Sequence, residues 1–93
     1  MEYQRIRNLT TGILHTRIGD VYEDIEYITR VSGIMTHQIP HALQAMSDWL
    51  KSKIQDSKFH ESKFDPEHTG DMDLQTMNEE ERQSFFNKFH SLN

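Results

Sequence analysis

The chain has 93 residues, with 15 acidic against 10 basic side chains, a formal charge of −5 and no cysteine. That length holds one small domain with a modest core, and the missing cysteines exclude disulfide staples, thiolate metal sites and thiol nucleophiles. Net acidity disfavours a general affinity for nucleic acid, because phosphate contacts need clustered Lys and Arg.

The first stretch, EYQRIRNLTTGILHT, is ambiguous. Tyr3, Ile6, Thr10, Ile13 and Leu14 fit one helical face. Thr10, Thr11 and Gly12 are poor helix residues and suit a turn between two short strands. A helix is favoured, since few other strand candidates exist to complete a sheet; an α+β fold with a short N-terminal β-hairpin is the alternative. No apolar run follows a basic start, so no secretory signal is expected, and no stretch approaches the ~18 apolar residues of a membrane span.

The clearest periodicity predicts a helix over 17–32: Ile18, Val21, Ile25, Ile28 and Ser32 step by three and four, with Tyr22 and Val31 beside them. Thr16 is placed to cap it, Glu26 and Arg30 to pair on its outside, and Gly33 to stop it. A second helix is predicted over 37–54, where Ile39, Leu43, Met46, Leu50 and Ile54 align. Thr36 is the natural cap, and Pro40 falls in the first turn, where its missing N–H needs no partner. The short link between them predicts a helical hairpin.

After Gln55 the pattern dissolves into a polar, acidic loop over 55–77, long for a segment without structure of its own. Phe59 and Phe64 are expected to pin it to the core. A last helix is predicted over 78–90, opened by an Asn78/Glu81 capping box and packed through Phe85 and Phe89, with Phe86 alongside. The expected fold is therefore mainly α, a single small domain over 1–93 built on a central helical hairpin and a C-terminal helix.

Three features invite a chemical reading. His37 and His41 stand four apart, a spacing that points two imidazoles the same way on a helix and offers two metal ligands. The segment supplies no obvious third ligand, and a helix-start role for His37 with a surface role for His41 is the plainer reading. The run from Asp65 to Asp73 takes several places of a calcium loop, but its twelfth position is Thr76 rather than a bidentate Glu, so a polar turn is preferred. No nucleophile elbow or glycine-rich phosphate loop occurs. No cofactor and no catalytic residues are therefore expected.

The third feature is acidic. Asp20, Glu23 and Asp24 lie on the first helix of the hairpin with Tyr27, and eight acids stand against one lysine between Glu61 and Glu81. Acidic and aromatic side chains together have the composition of an interface for a basic partner. The candidate contacts are Asp20, Glu23, Asp24, Tyr27, Asp65, Glu67, Asp71 and Asp73. Spare apolar surface at Trp49 or Phe86 would suit a homodimer.

Residues 9–43 resemble the shared block of a family of small phage and prophage proteins of unknown function. The resemblance rests on Thr11, Gly12 and Leu14; on Ile18, Gly19 and Tyr22; on Tyr27, Ile28 and Thr29; and on Thr36, His37, Gln38, Ile39 and Pro40. Arg30 departs from it, standing where Gly commonly follows the Thr. The resemblance implies a phage origin, a setting in the host cytoplasm and no known catalytic residues. It also implies that His41 is replaceable by Arg, which speaks for a capping and packing role of this segment over a metal site. The function expected from all of this is a small acidic protein that binds a bacterial host protein and inhibits a defence or transcription component. A metal-binding domain or metal-dependent enzyme using His37 and His41 is the first alternative, and a DNA mimic the second.

Overall fold

Amphipathic periodicity in four stretches gives four α-helices in the computed structural model, which describes residues 1–92: α1 (Tyr3–Thr11), α2 (Ile18–Thr29), α3 (Ile39–Lys53) and α4 (Glu79–Leu92). Short 3-10 turns cover Thr36–Gln38 and Ser57–His60. Among the described residues there is no strand, only an isolated bridge between Glu2 and Asp71. The domain is mainly α, and the ambiguous N-terminal segment is a helix rather than a β-hairpin.

Helix α1 is the shared neighbour of α2, α3 and the Ser57–His60 turn. It packs closely on both α2 and α3, and α3 packs on α4. Residues 30–38 join α2 to α3, and the two helices pack on α1 rather than closely on each other, so the pair is not the tight hairpin expected from the sequence. Ile6 and Leu9 of α1 meet Val21, Ile25 and Ile28 of α2, and Ala42, Met46 and Leu50 of α3; α4 adds Phe85 and Phe89. Each of these side chains larger than alanine, fully buried, contributes roughly 1.5–3 kcal/mol.

Several helix ends differ from the sequence expectation. Helix α1 stops at Gly12, which takes the left-handed conformation and donates its N–H to the Asn8 carbonyl. Ile13 and Leu14 therefore leave the helical face and are exposed. Thr16 does not cap α2. Its hydroxyl accepts from the buried Asn8 amide (2.6 Å), whose oxygen takes the N–H groups of His15 and Thr16.

Helix α2 ends at Thr29, and Arg30 adopts the left-handed conformation with φ 57°. The helix therefore stops at the position of the common glycine, not at Gly33. Tertiary bonds hold this end: Met77 N–H donates to the Ile28 carbonyl (2.9 Å) and Arg82 Nε to the Thr29 carbonyl (2.8 Å). The turn carries the expected partners apart. Glu26 accepts from the Gly33 N–H, and Arg30 pairs with Glu79.

At the next helix start, Thr36 hydrogen bonds to the Tyr22 hydroxyl, and Gln38 accepts from the Met35 N–H at 2.9 Å. Pro40 lies in the first turn of α3 as expected. The Asn78/Glu81 box forms at the start of α4, each side chain accepting the other's N–H at 2.8–2.9 Å.

The acidic loop is held to α1 by polar side chains rather than by two aromatics. Gln4 Nε2 donates to the carbonyls of Asp65 (3.1 Å) and His68 (2.8 Å). Arg7 donates to the carbonyls of Glu61 (3.1 Å) and Lys63, and Thr10 to that of Phe59. Gln4, Arg7 and Thr10 are three residues apart and share one stripe of α1. Four of their acceptors are the carbonyls of the alternate residues Phe59, Glu61, Lys63 and Asp65. Phe59 is buried as expected, but Phe64 is 61 % exposed and stacks on the His15 ring.

Candidate functional site

The start of α1, the outer face of α2 and the loop segment 71–74 enclose a cleft of about 350 Å³. Met1, Glu2, Arg5, Asp24, Tyr27, Asp71, Asp73 and Leu74 line it. Backbone bonds bring these remote segments together: Tyr3 N–H donates to the Gly70 carbonyl (3.0 Å) and Met72 N–H to the Met1 carbonyl (2.9 Å).

Arg5 is the electrostatic centre. Its Nε and one terminal nitrogen bind the two Asp24 oxygens at 2.9 and 2.7 Å, a bidentate geometry. The same terminal nitrogen reaches Glu23 at 3.1 Å, and the other lies 3.9 Å from Asp20. Burial pushes the Asp24 carboxyl above its ordinary value, and the Arg5 hydrogen bonds oppose this. The Asp24 hydrogen bond in turn holds the guanidinium more firmly protonated. With three carboxylates around one cation, the cluster keeps a negative balance.

The structure sorts the candidate contacts into three groups. Asp24, Tyr27, Asp71 and Asp73 line this single cleft, and Asp20 and Glu23 join it through Arg5. Asp24 is only 5 % exposed and is held by Arg5. Tyr27, 58 % exposed, and Asp73 present the open surface, while Asp71 pairs with the N-terminal amine at 3.1 Å. Asp65 and Glu67 lie in a different depression with Lys58, Glu61, Lys63 and Phe64. There Lys58 and the Glu67 N–H bind Asp65 and hold its carboxyl below the ordinary value, Lys58 having the larger effect.

His37 sits exposed on the 3-10 turn and His41 in the first turns of α3, where its Nδ1 is enclosed without a partner. Among the described residues no three His, Asp or Glu side chains converge as a metal site would need. The pair spans the junction between the 3-10 turn and α3. Trp49 is half-buried in a groove between α3 and α4, and the Arg82 guanidinium lies 5.4 Å from the Phe86 ring centre, so both aromatics are partly covered.

Sequence reasoning missed Glu2 and Arg5 as parts of the cleft. Nothing local in the sequence marks Arg5, because only folding sets it against Asp24 of α2, 19 residues along the chain. No helix among the described residues is long and apolar enough to cross a membrane.

Comparison with curated proteins and with solved structures finds no match. A family model does match, over residues 1–56, which hold α1 to α3 and all of the cleft except its 71–74 wall. The chain belongs to the family defined by that domain of unknown function, DUF7736.

Proposed function

We propose that this protein is a non-enzymatic binding module whose acidic cleft takes a basic segment of another protein. The observation that carries the reading is the convergence of Asp24, Tyr27, Asp71 and Asp73 from two remote stretches onto one depression that Glu2 also lines, with Glu23 joined to it through Arg5. Carboxylates around an exposed tyrosine attract a Lys or Arg side chain by charge and give its aliphatic stem a ring to lie on. The resemblance to phage proteins supports a bacterial host protein as the partner, met in the host cytoplasm, with inhibition of a defence or transcription component as the outcome. DNA mimicry is a weaker reading, because the α2 carboxylates gather on Arg5 instead of spacing out as phosphates do.

The test is affinity capture from bacterial lysate with wild type and the double variant Glu23→Gln, Asp73→Asn. Both side chains are exposed, so folding is expected to be unchanged. One stoichiometric partner, retained by wild type, lost at high salt and weakened about tenfold or more in the double variant, is the expected result; tenfold corresponds to about 1.4 kcal/mol. Equal retention of the partner by both proteins would refute the cleft as its binding surface.

A further inference from the structure

We infer that His68 is an acid-operated release for the segment 61–68, the strap that lies along α1. The inference rests on an arginine buried with no carboxylate hydrogen-bonded to it. Arg7 is 0 % exposed, and its hydrogen-bond partners are two strap carbonyls and the Nδ1 atom of His68 at 3.0 Å. A guanidinium only donates. The Nδ1 lone pair must therefore accept, which fixes His68 as the neutral imidazole with its proton on Nε2.

The His68 ring is confined as well as bonded. It lies 4.8 Å from the Tyr3 ring and 4.6 Å from the Phe59 ring, centre to centre. Its carbonyl accepts from Gln4, and its N–H donates to the Asp65 carbonyl. A proton added at Nδ1 turns the acceptor into a donor facing a donor and sets imidazolium against guanidinium. Arg7 Nε already lacks an acceptor, so loss of His68 leaves the buried cation short of a second one.

The surrounding charges compensate only in part, because Asp65 acts on Arg7 through space while its carboxylate is bound by Lys58. From α1, His68 meets Arg7 and the Tyr3 phenol ring. From the 3-10 turn, Lys58 is taken by Asp65, and His60 bonds through Nε2 to the Ile54 carbonyl. Of the strap's own charges, Glu61, Lys63 and Glu67 are exposed to solvent, and Asp65 is held by Lys58. Opening the strap hydrates both cations at once. It also releases the carbonyls held by Gln4 and Arg7 and uncovers the Tyr3–Phe59 edge, whose rings are 4.9 Å apart.

The experiment is amide hydrogen exchange on the full chain between pH 7.5 and 5, corrected for intrinsic rates, in wild type and His68→Asn. Asn offers an oxygen near the Nδ1 position and does not titrate. The opening equilibrium of 61–68 in wild type is expected to rise by up to about tenfold per pH unit, the slope for uptake of one proton, with α2 unmoved. In His68→Asn this dependence is expected to vanish. A wild-type strap whose protection is the same at both pH values, or a variant that keeps the dependence, overturns the inference. Should the variant fail to fold, nitrogen chemical shifts of the wild-type ring decide: an Nδ1–H tautomer at pH 7.5 overturns it, and an Nε2–H tautomer titrating together with the strap amides supports it.

Discussion

Replacing Arg7 by Met separates two accounts of the buried cation. A buried charge without a counter-ion costs desolvation, and exchanging such groups for apolar ones of similar length is often neutral or stabilising. Against this, Arg7 makes three hydrogen bonds to 61–68, and bonds to charged groups contribute about 1.5–3 kcal/mol each. Part of that sum is recovered when the strap lifts and its carbonyls meet water, and part when the charge is removed. The net expectation for Arg7→Met is a loss of about 2–4 kcal/mol, a large share of the roughly 5–15 kcal/mol typical of a whole domain. Urea unfolding followed by Trp49 fluorescence and by far-ultraviolet circular dichroism measures it. The midpoint should fall, and the slope with it, because a folded state with its strap detached buries less surface. A variant with wild-type midpoint and slope would refute the reasoning and make Arg7 a passive filler of its site.

Two further perturbations probe the helix ends and the extent of the domain. Arg30→Gly relieves a left-handed non-glycine residue and removes an exposed ion pair to Glu79 that contributes little; a gain of up to about 1 kcal/mol is expected in thermal unfolding, and a loss of that size would show that the Glu79 contact dominates. A fragment of residues 1–56, the span of the family match, lacks Phe59, Leu74, Met77, Phe85 and Phe89 of the core; it is expected to melt without a cooperative transition, and a sharp one would show that α1 to α3 suffice to fold.

Local patterns were readable where they needed only neighbours in the chain. The inner apolar steps of α2 (Val21, Ile25 and Ile28) and of α3, the Pro40 position and the Asn78/Glu81 box depend on contacts within a few residues and appear in the structure, whereas Ile18 is exposed and Ser32 lies past the end of α2. The ends of α2 were misplaced because side chains or backbone from other segments finish them. Asn8 takes Thr16 away from capping, and Met77 and Arg82 collect the last carbonyls of α2. Phe64 was assigned to the core on hydrophobicity alone, yet the strap's path is set by Gln4 and Arg7 bonding to its backbone, and that path leaves Phe64 outside.

The sequence by itself determined a small acidic helical domain and the residue types available for a binding surface. The tertiary structure decided which of them meet. Hydrophobic periodicity fixes the inward face of a helix but carries no information about which distant segment a polar side chain will reach. Arg5 and Arg7 show the consequence, since two arginines with one residue between them diverge around α1. One gathers the α2 carboxylates into the cleft, and the other is buried against loop carbonyls and a neutral histidine. Only the packing of α1 between α2 and the strap sends them to opposite tasks.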